Sequence, residues 1–459
     1  VIPTDTTPGS TEPAEPADRA PYPSRPYAWY VVGLLTVAFV SSFIDRQILG
    51  LLVAPIRRDL GISDTGMSLL MGLSFALFYT VLGFPIGWLA DRWSRRGIIG
   101  IAIAVWSVMT MAGGMARNYT QLFLARVGVG VGEAGLSPPA YSLIADYFPR
   151  DRLATAISVY SMGIYLGAGL ANVVGGVVVG AVSVDTMWAV PLFGVMRPWQ
   201  VVFLVVGAPG LLLALLTLTI REPVRRDIGV GMATVPVRAV FTWIRDNART
   251  FLHHHGGLAL ISLANYGLAS WAPTFMVRTY GWEVSRAGIA LGIITAIFGP
   301  LGIVAGGWYA DRLLQRGRTD AKLLVAAVAA SGLLVTDLLF PLMPTATGAL
   351  ILFIPLSVFA AVPFGVGAAA VQELFPNQMR AQGSALYLFA LSIIGLGLGP
   401  TGVALLTDYV FRDDAALRYS LAVASTVAMI GAVTLLWTGL GSYRESVRYR
   451  AEWRGGNRE

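Results

Sequence analysis

The 459-residue sequence contains no cysteine and only three histidines. Without thiols it can form no disulfide, thiolate metal site or cysteine nucleophile. Charge is also scarce: 13% of residues are Asp, Glu, Lys or Arg, against roughly 25% in a soluble domain. Apolar residues take their place, with 55% hydrophobic composition and a mean hydropathy of +0.66. They gather in runs of about 20 residues, the length that carries a helix across a bilayer. The runs do not alternate at period two, as the strands of a membrane barrel would. The expected fold class is therefore an all-α polytopic membrane protein.

Twelve spans are predicted, near residues 27–52, 65–89, 97–116, 119–144, 153–182 and 199–220, then 257–280, 285–310, 321–343, 347–374, 380–409 and 417–441. This divides the chain into a disordered tail (1–26), a six-helix bundle (27–220), a charged linker (221–256), a second bundle (257–441) and a basic tail (442–459). The N-terminal tail is rich in Pro, Thr, Ala and Glu, a composition that cannot bury a core. It lacks the basic start and small-residue cleavage site of a signal peptide, so the first apolar run is expected to stay in the protein. With the N-terminus in the cytoplasm, roughly 23 Lys and Arg fall on the cytoplasmic side and roughly 8 outside, which orients both termini inward in a multi-pass cell membrane. The net charge of +7 then marks cytoplasmic loops rather than a nucleic-acid partner. His253, His254 and His255 are adjacent. They could form a metal-binding tract, but a solvated loop before span seven is the better reading, and no metal site is assigned.

Two polar loops repeat. Gly87-Trp88-Leu89-Ala90-Asp91-Arg92-Trp93-Ser94-Arg95-Arg96 follows span two, and Gly307-Trp308-Tyr309-Ala310-Asp311-Arg312 follows span eight, about half the chain further on. Ala145-Asp146-Tyr147-Phe148-Pro149-Arg150 follows span four, and Gln372-Glu373-Leu374-Phe375-Pro376 follows span ten. Two matches in register imply a duplicated six-helix unit.

The pattern G-x-x-x-D-R-x-x-R-R at residues 87–96 closely resembles the loop signature of the major facilitator superfamily. The second copy, the six-plus-six spans and the middle linker fit the same family. Phe43-Ile44-Asp45-Arg46 in span one and the run from Arg126 to Gly135 in span four, with Glu133 inside it, are similar to the Spinster branch, whose animal members move sphingosine-1-phosphate and lysolipids. Organic-anion and sugar-acid carriers share the Arg- and Gly-rich fourth helix. The resemblance implies two pseudo-symmetric bundles that alternate access to a central cavity. It also implies that Asp91, Arg92, Arg95 and Arg96 close a cytoplasmic gate near the start of span eleven. Arg95 and its neighbours would tie carboxylates such as Asp146, and Asp311 and Arg312 would be the weaker counterpart.

An ionisable side chain at mid-membrane costs at least ~2.5–3.5 kcal/mol, so it is read as functional. Four stand out: Asp45, Arg46, Arg126 and Glu133. Glu133 is the expected proton carrier, with Asp45 second. Arg46 and Arg126 would hold an anionic headgroup, and an Asp45–Arg126 contact fits their similar depth. The competing reading is a static ion pair that fixes helix packing. The second half carries aromatics instead, among them Tyr266, Trp271, Phe364 and Tyr387. A charged half facing an aromatic half suits an amphipathic anion or lipid, although any single ring could simply pack a helix or face lipid. Protons are the only coupling partner called for, no cofactor is expected, and the working unit is a monomer. No span carries an H-E-x-x-H or G-x-S-x-G signature, so a membrane enzyme is not favoured. A channel would not need two copies of the gate loop.

Overall fold

The computed structural model describes residues 21–90, 92–182, 187–191, 194–225, 237–376 and 379–452. Among these, ten helices are long and apolar enough to cross a membrane. The first runs over Arg25–Leu51, and the others follow the predicted spans within a few residues. Two further helical stretches complete the twelve by position. Span seven is Gly257–Tyr280. Span four is split into Tyr119–Glu133 and Ser137–Tyr147. Pro138 and Pro139 lie just after the break, and neither can donate the backbone bond an unbroken helix requires. Span eleven is distorted as well: after Arg380–Ala390 its turns widen over Leu391–Leu398 before Gly399–Leu405. Such widened turns accompany bends and functional sites.

The start of span one meets the end of span six, where Tyr27 Oη donates to the Thr219 carbonyl at 2.7 Å. A linker helix, Val237–Asp246, packs against the final helix, Leu440–Glu452, through Trp243 stacked on Tyr449. These contacts mark one end of the molecule, called here the terminal face. The expected N-terminal tail lies mostly outside the described residues.

The three histidines correct one expectation. They form the helical turn Leu252–Gly256 that leads into span seven, not a solvated loop. His254 is fully buried, its ring 5.6 Å from Tyr387, while His255 packs on Phe251 and Tyr387. The imidazoles serve as aromatic surface between helices, and the two Nδ1 atoms lie 3.0 Å apart.

The two bundles join mainly at the far face. Arg278 forms a bidentate pair with Asp64 at 2.6 and 2.8 Å, and Arg57 reaches Asp64 at 3.0 Å and Asp414 at 2.5 Å. Thr65, at the start of span two, donates its N–H and its hydroxyl to Asp408, each at 2.6 Å. Spans five (Arg150–Ala181) and eight (Val284–Gln315) touch backbone to backbone. A Cβ on Gly292 would stand 2.6 Å from the Gly169 carbonyl oxygen, so only glycine fits there. Among the described residues, the hydrogen bonds that join the halves cluster toward the far face.

Candidate functional site

Glu133 is the last residue of the first segment of span four, where the helix breaks. Arg46 comes from the last two turns of span one and meets it there, with Nη2 2.5 Å and Nε 2.6 Å from Glu133 Oε2. The guanidinium also lies over three rings: Phe75 at 4.5 Å, Tyr79 at 4.9 Å and Phe43 at 5.1 Å. This aromatic collar attracts the cation through the ring quadrupoles while shutting out water. Glu133 is 1% exposed, and its other oxygen, Oε1, has no hydrogen-bond partner.

The expected contact between Asp45 and Arg126 is present, but through the backbone of Asp45 and not its carboxylate. Arg126 donates from Nη1 to the backbone carbonyl of Asp45 at 3.1 Å, and from Nε to that of Leu70 at 3.4 Å. The Asp45 carboxyl turns toward Thr110 and Trp106 of span three, with Oδ1 outside hydrogen-bonding geometry. The reason is rotational: Asp45 and Arg46 are adjacent on a helix and point about 100° apart, so only Arg46 faces the interior between the halves. Close backbone approach holds the cluster together, since a Cβ on Gly130 would lie 2.8 Å from the Phe75 carbonyl oxygen.

A cavity of about 150 Å³ lies between the bundles. Its lining includes Phe43, Ile164, Ala168, Leu268, Phe353 and Phe364, so it is mostly apolar. Phe43, Gln47 and Tyr266 also line a small adjoining pocket that contains Arg46. One end of this space is therefore greasy and the other is cationic. Of the predicted substrate residues, Arg46, Tyr266 and Phe364 line these spaces. The other three do not. Arg126 sits behind Phe75, Trp271 is buried and donates to the Pro400 carbonyl at 2.9 Å, and Tyr387 packs under the histidines. Gln47, Tyr165 and Asn265 also line the cavity but were missed. Uncharged amides and phenols leave little mark in a sequence, and only the cavity singles them out.

The repeated loops carry buried ion pairs within each half. Arg95, 1% exposed, binds Asp146 and also Glu222 at 2.8 Å and the Ser142 carbonyl at 3.1 Å. Burial alone would raise the Glu222 carboxyl, but bonds from Arg95, the Arg96 N–H and Ser94 hold it below the ordinary glutamate value. The second half repeats the arrangement, with Lys322 bound to Glu373 and Tyr443 Oη donating to Glu373 at 2.9 Å. Arg92 lies over the Trp88 ring at 3.9 Å, Arg96 donates to the Ile220 carbonyl at 2.9 Å, and Asp311 and Arg312 are exposed. Asp91 lies outside the described residues. Replacing Arg95 by alanine strips Asp146 and Glu222 of a shared buried cation. It is expected to destabilise the protein by about 3–5 kcal/mol, visible as a lowered thermal unfolding temperature. Lys322→Ala, at a more exposed pair, should cost less.

Two helical bundles around a half-greasy, half-cationic cavity define a membrane solute carrier. The chain belongs to the Major Facilitator Superfamily, whose sequence profile matches residues 35–400. It is 30% identical over 432 residues to an MFS-type efflux pump of Mycolicibacterium smegmatis, covering 92% of this chain and 94% of that one. It is 24% identical to the hexuronate transporter of Bacillus subtilis, over 87% and 93% of the two chains. Among solved structures it is similar to a bacterial homolog of the human lysosomal transporter Spinster, in an inward-facing and unoccupied conformation. That match has a TM-score of 0.73 at 27% identity and covers 95% of this chain and 100% of the other. The likeness to the Spinster branch thus holds in both sequence and fold.

Proposed function

We propose that the chain is a proton-coupled secondary transporter that moves an amphipathic organic anion of lysolipid type by alternating access. The observation that carries this reading is the Arg46–Glu133 pair at the junction of the cationic pocket and the apolar cavity. An anionic headgroup that takes Arg46 must displace Glu133. The carboxylate, left without its cation in a buried site, is then stabilised by a proton on Oε1. Anion and proton so bind together, with no metal or cofactor. Asp45 is the secondary proton site. Phe364, Tyr266 and the other cavity rings receive the tail. Both termini face the cytoplasm in this reading, a single copy works alone, and the domain boundaries are those predicted from sequence. When the cytoplasmic side closes, Asp91 and Arg92, with Asp311 and Arg312 as counterparts, would meet helix ends of the opposite half, where fixed partial charges favour them.

A second reading, export of small organic anions or drugs by the same cycle, is favoured by the identity with the mycobacterial efflux pump. Sugar acids fit less well, because their many hydroxyls would each need a partner and most of the lining is apolar.

Counterflow in proteoliposomes tests the proposal. Vesicles loaded with unlabelled lysophospholipid should accumulate the labelled compound transiently, and glucuronate should not compete. Exchange of glucuronate but not lysolipid would overturn the substrate class; no exchange of either, with a drug cation accumulating instead, would favour the second reading.

A further inference from the structure

The cavity's polar side chains are not all committed. Thr295 and Ser357 donate to carbonyls of their own helices, at 2.9 and 2.8 Å. Asn265 is different. Its Nδ2 donates to the Ala360 carbonyl at 3.3 Å. A carbonyl can only accept, so this bond fixes which end of the amide is nitrogen. The oxygen, Asn265 Oδ1, is left buried without a protein partner, and so is Tyr165 Oη. Both residues line the same cavity from opposite halves, Tyr165 on span five and Asn265 on span seven. A buried, unsatisfied polar atom costs about 1–3 kcal/mol, so two on one cavity call for an occupant that pairs with them.

We propose that Asn265 and Tyr165 form a second polar subsite, which binds a hydroxyl or amide N–H of the substrate apart from its anionic headgroup. Asn265 Oδ1 can only accept, so the substrate must bring the hydrogen. Tyr165 can donate or accept and completes the partner's valence. No carboxylate lines the cavity, so an ammonium group would be buried there as an unpaired charge and is selected against. A donor held from both halves would also draw the bundles together around an occupied site. The subsite rests on the amphipathic-anion reading above and narrows it to lipids with a free hydroxyl or an amide near the headgroup.

The test is equilibrium binding to the purified full-length chain in nanodiscs. The probes are a radiolabelled decanoyl glycerol phosphate with its free hydroxyl, its deoxy analogue, and the analogue bearing an amine at that carbon. Wild type should bind the hydroxyl compound about tenfold more tightly than the deoxy compound, and the amine most weakly. In Asn265→Leu, and separately in Tyr165→Phe, the ratio of hydroxyl to deoxy affinity should shrink toward unity. Tyr165→Phe removes one oxygen and keeps the ring against Phe364, so it guards against a folding failure at Asn265. If wild type binds both compounds equally, or if the variants keep the preference, the subsite is overturned and the amphipathic-anion reading stands. If wild type binds none of the three, that reading fails and the subsite falls with it.

Discussion

Glu133→Gln is expected to abolish transport driven by a pH gradient while substrate still binds. Glutamine has the shape of the protonated acid and can still accept from Arg46, but it carries no charge. Arg46 would stay permanently available to an anion instead of being held at 2.5–2.6 Å by a carboxylate. In wild type, anion affinity should rise as pH falls, because protonating Glu133 releases Arg46. A coupling of roughly 5–150-fold between the two protonation states is typical of linked sites, and in the variant it should collapse to about unity. The measurement is substrate affinity against pH in wild type and variant, together with uptake under an imposed gradient. A variant that retains the wild-type pH dependence would remove Glu133 from the proton pathway and leave the pair as packing.

The second large effect is expected at the far face. Asp64 is completely buried and shared by Arg278 and Arg57, which come from opposite halves. Asp64→Asn should withdraw about 3 kcal/mol from the closed far face, or roughly a hundredfold in population, toward forms open on that side. Asp408→Asn should act the same way but more weakly, because Asp408 is held by the neutral N–H and hydroxyl of Thr65 at the start of span two and not by a bidentate arginine. The absence of native cysteine makes the experiment clean. Spin labels introduced at exposed far-face positions, such as 58 and 409, report a single distance across the halves. An unchanged distance distribution in Asp64→Asn would show that backbone contact between spans five and eight, rather than ion pairs, holds this face shut.

The spans were legible because the bilayer imposes a length and a polarity that leave a mark on every helix. The duplication was legible because Asp91 and Asp311 interrupt that apolar background at matching places. Glu133, Arg126, Arg46 and Asp45 were visible for the same reason, since a charge inside an apolar run has few ordinary explanations. Their pairing was only partly legible. Depth along two helices made Asp45 and Arg126 neighbours, and they touch through the Asp45 carbonyl, yet depth says nothing of rotation, and the rotation of span one turns Arg46 rather than Asp45 toward Glu133. Burial of His254 was hidden too, because a histidine before a span looks the same in sequence whether it meets water or Tyr387.

By itself, then, the sequence determined what the membrane demands: twelve apolar spans, two related halves, and a few charges inside the first of them. The tertiary structure decided which charges meet, which aromatics reach the cavity, and which face is shut. The physical reason is range. Crossing a bilayer is a property of about 20 consecutive residues, and each run records it alone. An ion pair or a cavity is made by residues from several spans, and its geometry depends on how those helices are rotated and packed against one another.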